Sequence, residues 1–172
     1  MSGGGLERLW AGWRSPYLSE VAGEPDEGDD ACVFCRILAS DDEAAAQVVW
    51  RDDHSAVVLN AYPYTSGHLL VMPVRHVAEL DDLDGEHETP ALWWALGCSV
   101  RALRGAYHPD GLNLGANLGR SAGAGVPGHV HVHVVPRWNG DTNFMTTVAE
   151  TRVLPEALPE TLQKVRAAWP AM

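Results

Sequence analysis

Positive charge is scarce in this sequence. Lys and Arg together number 12 against 23 Asp and Glu, a formal net charge of −11. Binding to a nucleic-acid polymer rests on a basic stripe that neutralises phosphates, so the balance argues against that class of partner. A small phosphorylated ligand stays open, because local dipoles and backbone N–H groups overcome a distant negative field. Long apolar runs are missing too. None approaches the ~20 residues of a membrane span, and the opening "MSGGGLERLW" lacks a signal-peptide core. The expectation is a cytoplasmic chain without membrane contact. Cysteines number three, an odd count that argues against a disulfide framework. There is no internal repeat.

What is present suffices for a packed core. The 172 residues, 46% of them hydrophobic and seven of them Trp, suit one domain without staples. Residues 1–30 read as an arm and linker. "RLWAGWRSPYL" carries Trp10, Trp13, Tyr17 and Leu18, and the acidic "GEPDEGDD" follows. Residues 31–172 read as the domain proper. "DEAAAQ" suggests a helical turn, "QVVWR" and "SAVVLN" a hairpin, and "HLLVMP" a third strand stopped at Pro73. A long helix opening near Thr89-Pro90 is predicted from Leu92, Trp93, Leu96, Val100, Leu103 and Tyr107 at helical spacing. "GLNLGANLG" and "HVHVHVVPR" read as the last strands, and "LPETLQKVRAAW" as a short C-terminal helix. Hairpin-paired strands with one long helix predict an α+β fold on an antiparallel sheet.

The chemistry is concentrated in "GHVHVHVVPRW". Strict alternation puts Val130, Val132 and Val134 on one face of a strand and His129, His131 and His133 on the other, roughly 7 Å apart. A single histidine is usually a packed one, but three in register suit nucleophilic attack, proton transfer or metal ligation near neutral pH. "GRSAGAG" just before them reads, in isolation, as a flexible turn. Beside a row of imidazoles it reads as a loop offering N–H groups to phosphate.

The pattern "HVHVHVV" resembles the histidine triad. "LNAYPYTSGHLLVMPVRHVAEL" resembles the strand–loop–strand segment of that superfamily, and "NLGRSAG" its glycine-rich loop. The resemblance implies a HIT-like antiparallel sheet with one long helix and a short C-terminal helix. It also implies cleavage of nucleotides at the α-phosphate through a covalent nucleotidyl-histidine. His131 would be the nucleophile, His129 would fix its tautomer through a backbone carbonyl, and His133 would donate to a phosphate oxygen. His68 matches a fourth histidine beside the triad. Asn60 matches a ribose-binding position and Asn117 an asparagine near the α-phosphate, with Gly123, Ala124 and Gly125 as the phosphate-facing backbone. Family members often carry Gln where this chain has Ala124. That departure leaves the acceptor open, while the longer loop and "PRWNGDTNFM" resemble the branch of bacterial diadenosine tetraphosphate phosphorylases, in which inorganic phosphate takes the nucleotide in place of water.

"CVFC" places Cys32 and Cys35 at a metal-clamp spacing, for which redox chemistry or simple packing serve as well. The resemblance supplies two further ligands, His76 and His129, and with them a closed, structural zinc site. Cys98 reads as a small buried apolar residue. The expected activity is nucleotidyl transfer from, or hydrolysis of, dinucleoside polyphosphates. A zinc-stabilised nucleotide-binding module and a nucleoside phosphoramidate hydrolase are the alternatives; uridylyl transfer is disfavoured by the triad pattern. The resemblance also implies a homodimer paired through the long helix and an edge strand. Trp93 and Trp94 are adjacent, so one is expected in the core and the other under a partner or the arm.

Overall fold

The computed structural model describes residues 32–141 and 156–171. The arm and all of "TNFM" lie outside them. A short helix α1 (Val33–Leu38) precedes the hairpin β1 (Val48–Arg51) and β2 (Ser55–Leu59), and β3 (Leu69–Pro73) follows. The long helix α2 (Glu88–Tyr107), β4 (Gly111–Ala116), β5 (Val132–Arg137) and α3 (Leu158–Ala167) complete the order. The five strands form one antiparallel sheet, β1-β2-β3-β5-β4. The α+β expectation holds.

The inner strands are buried on both faces, and their alternation sorts them into two cores. Val57, Leu59, Leu69, Val71 and Val134 face α2 and α3, packing on Leu92, Ala95, Leu96, Leu103 and Val165. Ala56, Val58, Leu70 and Met72 face the other way, onto Cys32, Phe34 and Leu38 of the α1 segment. The register Ala56↔Met72, Val58↔Leu70 and Leu70↔His133 keeps that second set on one face, and places His133 with it. Valine and histidine thus separate as the alternation requires.

Helix α2 starts one residue before Thr89, with Pro90 in its first turn, where a missing N–H does no harm. It ends at left-handed His108, whose N–H donates to the Arg104 carbonyl. Its core stripe is Leu92, Ala95, Leu96, Ser99, Ala102 and Leu103. Two expectations fail here. Trp93 is off the stripe and 68% exposed, and Trp94, 40% exposed, is no core residue either. Trp94 instead lies at 5.0 Å from Trp50, which stacks on Trp169. The true stripe has Ala95, Ser99 and Ala102 among its leucines, all fully buried. "DEAAAQ" forms hydrogen-bonded turns rather than a helix, with Asp42 accepting from the Ala44 and Ala45 amides. The short helix α1 is not foreseen.

Strand β5 is also shorter than the sequence suggests, starting at Val132 rather than His129. Its ladder with β3 stops at the pair Val71↔Val132. Pro73, two residues beyond, has no N–H for a ladder, and its carbonyl is taken by the His129 side chain. The His129–His131 segment stays extended and is held by the Val130 amide on the Val77 carbonyl at 2.7 Å.

Candidate functional site

The ending of the ladder frees His129 for another role. Its Nε2–H donates to the Pro73 carbonyl at 2.9 Å, which leaves Nδ1 as the atom with a lone pair. That nitrogen lies 3.5 Å from Cys32 Sγ and 3.6 Å from Cys35 Sγ, while His76 Nδ1 lies 3.3 Å from Cys35 Sγ. The four donor atoms of Cys32, Cys35, His76 and His129 all lie within 4.8 Å of one another, a cluster that could hold a metal ion. Tetrahedral bonding to two sulfurs and two nitrogens needs donor–donor edges of ~3.3–3.8 Å, and the three distances fall inside that range. Soft thiolates with imidazoles, one imidazole oriented by a carbonyl behind it, form a donor set suited to such an ion. Helix α1 is the element that brings both thiols in.

The carbonyl of the same residue, His129, accepts from His131 Nδ1–H at 2.9 Å. The lone pair of His131 therefore sits on Nε2. Burial pushes its pKa down, partly offset by the bond to the His129 carbonyl. Phe34 lies edge-on to the ring at 4.9 Å, and His133 lies at 5.1 Å on another side. The result is a neutral imidazole in one tautomer and one orientation.

The proton position on His133 follows from a chain of hydrogen bonds. The Tyr64 amide donates to His68 Nδ1 at 3.1 Å, so His68 carries its proton on Nε2. That N–H donates to His133 Nδ1 at 2.9 Å, which leaves His133 with its proton on Nε2. Burial, then repulsion from His131, lowers the His133 pKa to about 4. Neutral His133 is thus an N–H donor beside the neutral ring of His131. Asn60 supports the arrangement: its Nδ2 lies 3.3 Å from His68 Nδ1, and its Oδ1 accepts the Tyr62 amide at 2.9 Å. The loop is tied down further by Thr65 Oγ1 on the Pro136 carbonyl at 3.0 Å. Gly67 has φ +81, and a Cβ there would meet Leu103 and Tyr107 at 3.0 Å.

Asn117 leaves β4 just after Ala116, which pairs with Val132, so it emerges level with His131. Its Nδ2 donates to the Gly123 carbonyl at 3.3 Å and closes the glycine loop. The loop's amides are less available than the sequence suggests. The Gly123 N–H donates to Arg120 and the Ala124 N–H to Gly119, both carbonyls of the loop itself. The structure brings Asn60, His68 and His133 into one hydrogen-bonded chain and His129 with His131 into another, the two meeting where the His131 and His133 rings lie 5.1 Å apart, and it brings Cys32, Cys35 and His76 into the cluster sharing His129. The Tyr64 amide, the Pro73 carbonyl and the Phe34 ring are parts that the sequence reading misses. Backbone groups leave no residue-type signal; Phe34, lying between two cysteines, does.

Strand order, paired imidazoles and a carbonyl-held His131 ring define a histidine triad centre. The HIT domain family profile matches residues 41–140, and the chain belongs to that family. It is 40% identical over 167 residues to a Mycobacterium tuberculosis protein named AP-4-A phosphorylase, covering 95% of this chain and 85% of that one. It is 33% identical over 119 residues to the protein hit of Bacillus subtilis, covering 66% and 75%. Among solved structures, a Zn-bound histidine triad family protein from Mycobacterium smegmatis superposes with a TM-score of 0.66 at 34% identity, covering 82% and 94%. A protein described as a hypothetical histidine triad nucleotide-binding protein, from Sulfolobus tokodaii, gives 0.59 at 31% identity, covering 71% and 82%.

Proposed function

We propose that this protein cleaves dinucleoside polyphosphates at the α-phosphate through a nucleotidyl-His131 intermediate, with inorganic phosphate as acceptor. The observation that carries the reading is the fixed pair of tautomers: a lone pair on His131 Nε2 beside an N–H on His133 Nε2. His131 Nε2 attacks phosphorus, a P–N bond forms, and the bond to the bridging oxygen breaks. The departing nucleoside polyphosphate keeps that electron pair, and the His133 N–H stabilises or protonates its oxygen. The His129 carbonyl stabilises the positive charge that attack places on His131. Phosphate oxygen then displaces His131, breaking the P–N bond and restoring the neutral imidazole. Asn60 and Asn117 serve as substrate-side positions, with the backbone of Gly123, Ala124 and Gly125 flanking the phosphates.

The likeness to the M. tuberculosis AP-4-A phosphorylase favours phosphate over water. Product analysis tests it. With diadenosine tetraphosphate, phosphorolysis yields ADP and ATP and requires added phosphate. AMP and ATP, formed equally well without phosphate, would make the protein a hydrolase.

Cys32, Cys35, His76 and His129 would hold zinc, in keeping with the Zn-bound M. smegmatis relative. A closed set of four leaves no open position, so the metal's contribution is to cross-link α1 to the triad segment. We further propose a cytoplasmic homodimer paired through α2 and β4. Strand β4 is a sheet edge, and Leu114 on it is 46% exposed. Among the described residues no helix is long and apolar enough to cross a membrane. Light scattering should give twice the 18.6 kDa chain mass at micromolar concentration; a mass of one chain would contradict the pairing.

A further inference from the structure

The row of imidazoles is closed by an aromatic ring at each end, and the two rings differ. At the His131 end Phe34 is 5% exposed. At the other end Tyr64 lies 4.6 Å from His68 and 6.0 Å from His133, nearly parallel to the latter at 13°, yet it is 41% exposed. Among the described residues, Tyr62, Tyr64, Trp93 and Trp94 are the exposed aromatics, and Tyr64 is the one whose ring meets the imidazole row. Its position is not left to a floppy loop. The Tyr64 amide is bound to His68, Asn60 holds the Tyr62 amide, and Thr65 is bound to Pro136.

We propose that Tyr64 is the stacking platform for the second nucleoside of the substrate, the half that departs with the distal phosphates. This rests on the reading of the site as a dinucleoside polyphosphate-cleaving centre. Such a substrate is a polyanion with a flat aromatic base at each end. Neutral N–H donors under the phosphates answer the middle of it, and one base belongs to the nucleotide that His131 retains. The other base leaves past His133, the group that donates to the departing oxygen, and Tyr64 is the ring beyond His133. A ring that is 41% exposed and held in place by its own backbone presents aromatic surface on which a base can stack. The platform would give a dinucleoside an advantage over a nucleotide with the same phosphate chain and no second base.

Steady-state kinetics on diadenosine tetraphosphate and adenosine 5′-tetraphosphate test this, with the wild-type protein, Tyr64→Ala and Tyr64→Phe. The readout is the ratio of kcat/KM for the two substrates, which cancels any general damage to the site. The wild type should favour the dinucleoside, Tyr64→Ala should lower the ratio by about tenfold, and Tyr64→Phe should keep it. An equal loss on both substrates in Tyr64→Ala would reduce the ring to a support for His68 and overturn the proposal. A loss in Tyr64→Phe as large as in Tyr64→Ala would assign the effect to the hydroxyl and overturn it too. Equal wild-type kcat/KM for both substrates removes the platform but leaves the cleavage reading standing. Wild-type cleavage of neither removes both.

Discussion

Replacing His131 by alanine should lower turnover of diadenosine tetraphosphate by at least about 10³-fold while nucleotide affinity stays within about tenfold. The asymmetry follows from the geometry. The covalent step depends on one nitrogen, Nε2 of a ring held by the His129 carbonyl at 2.9 Å. No neighbour can substitute for it: His129 faces Pro73 with one nitrogen and the cysteine cluster with the other, and His133 Nδ1 is bound to His68. In the proposed reading, binding is instead shared among several positions, Asn60, Asn117 and the backbone at Gly123–Gly125, so losing one ring costs it little. Paired measurements of kcat and of nucleotide affinity check the split. Retained turnover would move the nucleophile elsewhere, and a matching collapse of affinity would make His131 a binding residue.

The second large effect belongs to the metal cluster. Protein purified without chelator should carry about one zinc per chain. Cys32→Ser with Cys35→Ser should lower the melting temperature by about 10 °C or more, since a closed zinc site contributes several kcal/mol to folding. Turnover should fall in the same variant although neither cysteine is placed against the substrate. The route is short. Cys35 sits on α1 and Cys32 caps its start, His129 joins them, and the His129 carbonyl orients His131. Phe34, between the cysteines, rests on both His129 and His131. Metal analysis and thermal melts decide the matter. Absence of metal from protein never exposed to chelator, or an unchanged melting temperature in the double variant, would leave the cluster as packed thiols and imidazoles.

Much of this was legible because side-chain alternation is a strong signal. "HVHVHVV" separates valine from histidine as alternation requires, and "QVVWR" and "SAVVLN" form the hairpin that the sequence suggests. The ligand set Cys32, Cys35, His76 and His129 came from spacing and resemblance, and the fold assembles it from α1, the segment after β3 and the triad. The misses have physical causes. Six residues are too few for a helical period to register, so α1 passed unseen. Trp93 shares a helical spacing with Leu96, Val100 and Leu103, but the buried stripe of α2 runs through Leu92, Ala95, Leu96, Ser99 and Leu103 and is centred about a third of a turn away from it. The early end of β5 was set by Pro73 on the neighbouring strand, a nonlocal cause that the triad segment itself does not encode. The same holds for the tautomers of His68 and His133, which begin at the Tyr64 amide.

The central claim is the covalent bond to one imidazole nitrogen. Wild-type protein mixed with diadenosine tetraphosphate in the absence of phosphate, quenched in denaturant and analysed by intact-mass and peptide-mapping mass spectrometry, tests it directly. The account predicts an adenylyl adduct on the peptide carrying "GHVHVHVV", localised to His131 and discharged as ADP when phosphate is added before the quench. An adduct on His129 or His133, or substrate turnover with no adduct at any quench time, would contradict it.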